Sequence, residues 1–391
     1  MKKCLAILLC LGMMLSTSGC GSMFSADYYF SEPYREGQSS ESSGEAELRN
    51  YATLRAAILD MVYAGESSAQ LRFGSYAGSL VDDLAAICLE IKSSTPIGAY
   101  AVRDIKYDTS RIVSYYTAEI GIEYKRSAEE IDAVVSVNGL GELGSHILSL
   151  MENYEAEGAV KIYSSAADEE YIRALVAESY FADPFLMASQ PEVLVEGYPE
   201  AGPDRIYVLD FRYDAMPQRM EEMDALLEET ARAMVAGMGT DDEANLYLRA
   251  AMLLGAYCSG GDGSEWADTA YGCIVERQAS SLGFAMGYKA LCDILGLDCT
   301  VVRGERNEKG VSSHGWNIIR LNGLNYHVDV SRITENPAGA FLLSDSELWG
   351  EYIWDREAYP ECNSELGYVD FYGQTEAPAP AAAAEIPENV E

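Results

Sequence analysis

Two adjacent residues, Asn322 and Gly323, constrain the fold of this chain more than any other feature of its sequence. They stand between two runs rich in β-branched and aromatic residues, 314–321 and 324–330. Asn-Gly is a preferred pair for a two-residue hairpin turn because both positions need a positive φ. The sequence therefore predicts an antiparallel hairpin in which Leu321 lies opposite Leu324.

The predicted turn also determines which side chains share a face of the sheet. Continuing the register pairs Trp316 with Asp329 and His314 with Ser331, and side chains return to one face at every second residue. One face is therefore predicted to carry His314, Trp316, His327, Asp329 and Ser331. His314 and Asp329 become diagonal neighbours, about 7–8 Å apart along the backbone, and their side chains can close that gap to a hydrogen bond.

An apolar helix is predicted over residues 281–295, with Gly296 as its C-terminal stop. Its apolar stripe consists of Phe284, Tyr288, Leu291 and Leu295. Ser280 or Ser281 at its start would face unpaired N–H groups and the positive end of the helix dipole, which favours a nucleophilic anion and a developing oxyanion. The alternative is plain N-capping, for which serine is well suited.

Residues 241–373 resemble the transglutaminase-like superfamily of papain-type folds. Its members have a helix that opens with Gly-Val-Cys-x-Gly-Tyr-Ala, then His-x-Trp-Asn, then Tyr-His-Val-Asp-Val-Thr-Trp. The corresponding segments here are 279–285 (Ala-Ser-Ser-Leu-Gly-Phe-Ala), 314–317 (His-Gly-Trp-Asn) and 326–331 (Tyr-His-Val-Asp-Val-Ser). Segments 341–345 and 354–360 also resemble the closing part of the family. The resemblance implies a helix packed on an antiparallel sheet, with Ser281, His314 and Asp329 as the catalytic positions and Trp316 in the binding site.

The chain departs from the family at the nucleophile, because Ser281 occupies the position of the catalytic cysteine, and Arg332 replaces a tryptophan. A thiol with a pKa of about 8.5 ionises readily beside a histidine, whereas a hydroxyl needs concerted deprotonation. Three functions follow as alternatives. The domain is a pseudoenzyme that binds peptide, cell-wall or glycan-linked material, a working Ser281-His314-Asp329 hydrolase or acyltransferase, or a purely structural surface protein.

The N-terminus has the pattern of an export signal. Lys2 and Lys3 precede an apolar run over 5–15, which is too short to span a membrane, and Thr-Ser-Gly-Cys follows at 17–20. Small residues before a cysteine resemble a lipobox, which predicts cleavage before Cys20 and its acylation. The predicted location is the extracytoplasmic face of a bacterial cell membrane. The alternative is an ordinary secretory signal with an incidental cysteine.

The remaining sequence predicts an α+β protein built from several segments. Thr95-Pro96 and Asp183-Pro184 each precede a pair of alternating strands, which suggests two repeated α+β modules, each with a short antiparallel sheet, unless the spacing is coincidental. The predicted organisation is a signal peptide (1–20), a flexible tether (21–47), module 1 (48–135), module 2 (136–240), the transglutaminase-like domain (241–373) and a disordered Pro/Ala tail (374–391).

Charge and metal-binding residue types limit the partners. A net charge of −36 without a basic patch argues against binding to nucleic acid. With three histidines and no Cys-x-x-Cys pair, we expect no metal and no cofactor. The predicted partners are the membrane, through lipidated Cys20, and a peptide or cell-wall ligand.

Overall fold

The computed structural model describes residues 48–112, 115–238, 242–307 and 310–373. The predicted signal peptide with Cys20, the tether and the Pro/Ala tail lie outside these residues. Within the described ranges, no helix is long and apolar enough to cross a bilayer. The fold is α+β, as the sequence predicts, with helices packed on three antiparallel or mixed sheets, and the described residues also contain a two-stranded parallel pair.

The first sheet lies between residues 68 and 124 and has three antiparallel strands in the order β1-β3-β2. Its elements are α1 (Tyr51–Tyr63), β1 (Ser68–Phe73), α2 (Leu80–Ser94), α3 (Pro96–Ala101), β2 (Val102–Ile112), β3 (Tyr115–Tyr124) and α4 (Ala128–Asp132). The Thr95-Pro96 step begins α3, because Pro96 takes the first helical position and the Thr95 side chain accepts a hydrogen bond from Gly98 N. Ser127 starts α4 through a capping box with Glu130.

The second sheet has four strands in the order β4-β5-β7-β6. Its elements are β4 (Val135–Val137), α5 (Leu140–Glu152), β5 (Glu157–Tyr163), α6 (Glu169–Ala182), β6 (Glu192–Tyr198) and β7 (Asp204–Arg212). The expectation of a purely antiparallel sheet is wrong here, because β4 and β5 run parallel. The reason is the connection: α5 joins the two strands as a crossover, and a strand that follows such a crossover points the same way as the one before it.

The third region contains a five-stranded antiparallel sheet in the order β13-β12-β11-β10-β14. Its elements are α7 (Pro217–Val235), α8 (Glu243–Tyr257), β8 (Ser259–Gly260), a π-helical turn (Gly272–Glu276), β9 (Gln278–Ala279), α9 (Ser281–Leu295), β10 (Cys299–Asn307), β11 (Val311–Leu321), β12 (Leu324–Val328), β13 (Phe341–Leu343), α10 (Asp345–Leu348), β14 (Tyr352–Ile353) and α11 (Tyr368–Tyr372). The helix predicted over 281–295 is confirmed as α9, and Gly296 ends it with a φ of 71°.

Helix α9 is the centre of the third region. Residues 283–292 are all buried, so the helix is enclosed on every side rather than along a single stripe. It packs against α7, α8, β10 and β11. One continuous apolar core joins α9 to the helices and inner face of the second sheet, so module 2 and the C-terminal region share a core.

The hairpin between β11 and β12 has the predicted turn. Asn322 and Gly323 have φ values of 53° and 82°, and Leu321 lies opposite Leu324. The predicted ladder is wrong beyond Val328, its last paired residue. The Asp329 N–H instead donates to Ala340 O at 2.7 Å, and residues 330–332 turn into a short 3₁₀ helix.

Gly315 lies where β11 and α9 approach most closely. A Cβ atom at this position would stand 2.6 Å from Leu282 Cα, a contact that a side-chain movement cannot relieve. Gly121 in β3 is the natural comparison, because a Cβ atom there would meet nothing within 4 Å. The absence of a side chain at Gly315 therefore permits the α9–β11 contact.

We predict that Gly315→Ala destabilises the protein by about 1–3 kcal/mol, because the new methyl group pushes strand from helix. Gly121→Ala should change stability by less than about 0.5 kcal/mol. Urea denaturation of both variants, followed by circular dichroism, measures the difference. Equal stabilities for the two variants would show that the close approach of α9 and β11 does not exist in solution.

Candidate active site

Ser281 is the first residue of α9, and the residue before it performs the capping. Ser280 is the N-cap: its Oγ accepts a hydrogen bond from Gly283 N at 3.4 Å and donates to Asp268. The capping alternative therefore applies to Ser280, and the half-buried Ser281 hydroxyl is left for other contacts. Its Oγ accepts a hydrogen bond from Gly315 N at 3.2 Å.

His314 and Asp329 form the pair that the hairpin register predicts. His314 Nε2 lies 2.8 Å from Asp329 Oδ2, and Asp329 is only 2% exposed. Ser331 Oγ donates to Asp329 Oδ1 at 2.6 Å, and the Tyr352 hydroxyl donates to Oδ2 at 2.7 Å. Because a carboxylate only accepts, the proton between the pair belongs to His314 Nε2, which leaves Nδ1 as the basic nitrogen.

Two opposing effects act on the pKa of Asp329. Burial raises this pKa, but the hydrogen bond and charge of His314 and the hydrogen bonds from Ser331 and Tyr352 outweigh burial and hold the pKa below its usual value. The carboxylate is therefore ionised under ordinary conditions. It fixes the tautomer of His314 and can stabilise a positive charge on that ring.

Successive side chains of β11 point to opposite faces of the sheet, so Trp316 and Asn317 make different contacts. Trp316 packs beside it, with ring centroids 6.1 Å apart, whereas the fully buried Asn317 turns toward α9 and donates from Nδ2 to Ala285 O at 2.9 Å. Asn317 thus ties the strand to the helix. The structure brings Ser281 beside the backbone of residue 315, yet among the described residues no hydrogen bond joins its hydroxyl to His314.

Tyr352 and Arg332 belong to the site, although sequence reasoning assigned neither a role there. Arg332 Nη1 donates to the Tyr352 hydroxyl at 3.1 Å, and that hydroxyl donates onward to Asp329. Burial is the main cause that raises the pKa of Tyr352 above its usual value, so the phenol remains a donor. The sequence drew attention to Arg332 only as a departure from the pattern that it otherwise resembles.

His327 belongs to a second buried network on the same sheet face. Trp316 Nε1 donates to His327 Nδ1 at 3.0 Å, and His327 Nε2 lies 2.8 Å from Asp345 Oδ1. An indole only donates, so Nδ1 must accept and the proton of the ring stands on Nε2. Burial lowers the pKa of His327 despite the nearby Asp345 carboxylate, which keeps the ring neutral. His327 therefore acts as a connector between Trp316 and Asp345.

Among the described residues, one group of potential metal ligands surrounds this second histidine. Within the described ranges, His327, Asp345 and Cys362 bring their ligand atoms within 4.8 Å of one another. Coordination needs a lone pair on His327 Nε2, but the Trp316 hydrogen bond places the proton there. Burial, with a smaller effect of Asp345, also raises the pKa of the Cys362 thiol to about 12. These residues do not suit a metal ion.

Cys273 and Cys292 do not offer an alternative nucleophile at the start of α9. Both are fully buried, and burial raises their pKa values well above the ordinary range. Neither lies at the start of α9, since Cys273 is in the π-helical turn and Cys292 is near the C-terminal end of the helix. Neither of these two cysteines therefore takes the place of Ser281.

A cavity of about 550 Å³ opens beside the second network. Asp345 and Trp354 line it, and Trp354 also packs edge-on against Trp316, with ring centroids 5.8 Å apart. Trp316 in turn lies beside His314. The cavity is thus linked to the candidate catalytic pair through two tryptophan rings.

Comparisons with known proteins give distant structural similarity alone. No family model and no curated protein matches the sequence. One similar solved structure is a candidate cysteine protease from Cytophaga hutchinsonii, with 13% identity, a TM-score of 0.24, and coverage of 36% of this chain and 62% of the other. Another is described as a TGase, with 11% identity, a TM-score of 0.26, and coverage of 57% and 64%. This chain therefore spans less than two thirds of either protein.

Proposed function

We propose that this protein is a bacterial surface lipoprotein whose C-terminal region is a catalytically impaired transglutaminase-like domain that binds peptide or cell-wall material. The observation that carries this proposal is the state of the Ser281 hydroxyl. It accepts a hydrogen bond from Gly315 N, and the described residues include no hydrogen bond from it to His314. A serine nucleophile needs that contact at the moment of attack, because its proton must then pass to a general base.

The serine is the weak component of an otherwise ordered site. His314 is oriented by a buried carboxylate, and Ser281 stands at a helix N-terminus, where backbone N–H groups favour a negative charge. A thiol in that position would ionise with modest help, whereas a hydroxyl would not. The arrangement therefore supports loss of the nucleophile with retention of the surrounding cleft.

The second candidate function is an active Ser-His-Asp hydrolase or acyltransferase acting on peptide or cell-wall substrates. The His314–Asp329 pair favours it, because Nδ1 of His314 remains available to take a proton. In that reaction Ser281 Oγ would bond to the substrate carbonyl carbon as its proton moves to His314, which would then protonate the leaving group. The reaction needs the Ser281 O–H to donate to His314 Nδ1, which the hydrogen bond accepted from Gly315 N does not prevent.

The anchor is a separate part of the proposal. An acidic body with a net charge of −36 is repelled by anionic headgroups, so attachment would depend on the acyl chains of Cys20. We expect Cys20→Ala to release the protein from the membrane fraction, while Cys88→Ala leaves it attached. Retention of the Cys20→Ala protein after washing without detergent would refute lipid anchoring.

The proposal that the site lacks only a cysteine sulfur at residue 281 can be tested by introducing one. We predict that Ser281→Cys produces a thiol alkylated by iodoacetamide well below pH 8, because the helix N-terminus and His314 stabilise the thiolate. Adding His314→Ala should shift the alkylation profile upward by about one pH unit or more. The measurement is the rate of alkylation against pH, with the wild-type protein as the blank.

Ser280→Cys is the matched control, since it stands at the same helix end but contacts Asp268. Its alkylation profile should not respond to His314→Ala. If the Ser281→Cys profile is also independent of His314, the helix end and the histidine are no longer arranged for catalysis, and the idea that only the sulfur was lost is wrong.

A further inference from the structure

The cavity beside the second histidine network is lined by a tryptophan that is largely exposed to solvent. Trp349 is 73% exposed, whereas the other three tryptophans of the chain are buried or half-buried. The exposed indole lines the cavity together with Trp354 and Tyr359. A large apolar ring left in water at the edge of a cavity is typical of a surface that a ligand covers.

The guanidinium group of Arg356 contacts both indole rings of the cavity. Its guanidinium carbon lies 4.6 Å from the ring centroid of Trp349 and 4.5 Å from that of Trp354. Among the described residues, no carboxylate oxygen lies within ion-pairing distance of Arg356. Cation–π contact with both indoles orders the Arg356 side chain, and its N–H groups remain available to a ligand.

Hydrogen-bond acceptors stand on the same wall. Asp345 Oδ1 accepts from His327 Nε2, and Asp345 Oδ2 has no hydrogen-bond partner among the described residues. Glu361 also lines the cavity, and its carboxylate accepts a hydrogen bond from Asn363 Nδ2 at 2.8 Å. A positively charged hydrogen-bond donor, Arg356, and two negatively charged residues, Asp345 and Glu361, therefore line the same cavity.

This mixture of charges disfavours ligands that carry a single net charge. A carboxylate or phosphate drawn to Arg356 would meet Asp345 and Glu361, and an ammonium group drawn to these two would meet Arg356. A neutral ring with hydroxyl groups satisfies both signs, because each hydroxyl donates and accepts. The apolar C–H face of such a ring fits a flat indole.

We propose that this cavity is a subsite for a neutral glycan, with a sugar ring stacked on Trp349 and its hydroxyl groups bonded to Arg356, Asp345 and Glu361. The volume of about 550 Å³ lies in the range of small-ligand pockets, about 300–1,000 Å³. The inference rests on the proposed binding role of the domain, and it narrows peptide or cell-wall material to the glycan part.

The test is isothermal titration calorimetry on the full chain with two neutral trisaccharides, triacetylchitotriose (the N-acetylglucosamine trimer) and maltotriose. Trigalacturonate is the anionic comparison, the glucosamine trimer is the cationic one, and trialanine represents a peptide. We expect saturable binding of at least one neutral trisaccharide, with weaker binding of the charged probes and of trialanine. Trp349→Ala should weaken the sugar binding about tenfold.

Tyr163→Ala is the matched control, because Tyr163 is 74% exposed but belongs to β5 in the second sheet. It should bind the sugar as the wild-type chain does. The proposal is overturned if neither neutral trisaccharide binds, if a charged probe binds better, or if Trp349→Ala binds unchanged.

Two outcomes separate this inference from the proposed function. Trialanine binding that depends on Trp349 would overturn the glycan assignment and leave a peptide-binding domain. A reactive Ser281 would overturn catalytic impairment, and it would not alter the sugar titration, since Ser281 does not line this cavity.

Discussion

A single buried carboxylate holds the candidate site together. Asp329 accepts hydrogen bonds from His314 on β11, Ser331 on the 3₁₀ turn and Tyr352 on β14, so three separate elements converge on two oxygen atoms. An ionised group at 2% exposure is tolerated only where its lone pairs are satisfied. The position of His314 therefore depends on the edge strand β14 as much as on its own hairpin. Removing any one donor leaves a charge partly unpaired, with consequences for the whole sheet.

The nucleophile position depends on a different constraint, the close approach of α9 to β11. Gly315 permits that approach, and Asn317 secures it through Ala285 O. The two constraints meet at adjacent residues of β11. His314 is hydrogen-bonded to Asp329, and the Gly315 N–H donates to Ser281 Oγ. A sulfur atom at residue 281 would complete a familiar arrangement, and an oxygen atom leaves an ordered pair without an easily ionised partner.

The sequence determines the local parts of this site and leaves the long-range parts open. The turn at Asn322-Gly323 and the helix that starts at Ser281 follow from short-range rules of turn type and capping. The His314–Asp329 contact is present as the register predicts, although Asp329 itself lies beyond the end of the ladder. Tyr352 could not be predicted as a donor to Asp329, because the two residues are 23 positions apart and meet only through β14. The end of the ladder at Val328 was missed for a similar reason, since Ala340 captures the Asp329 N–H from outside the hairpin.

The direct test of catalytic impairment is labelling of the intact protein with a fluorophosphonate, read by mass spectrometry of the peptide that contains Ser281. Impairment predicts no adduct on Ser281, with the same background in wild type, Ser281→Ala and Ser280→Ala. Stoichiometric labelling of Ser281 in wild type and in Ser280→Ala, lost on His314→Ala, would contradict it. That result would establish His314 as the general base of a working serine enzyme.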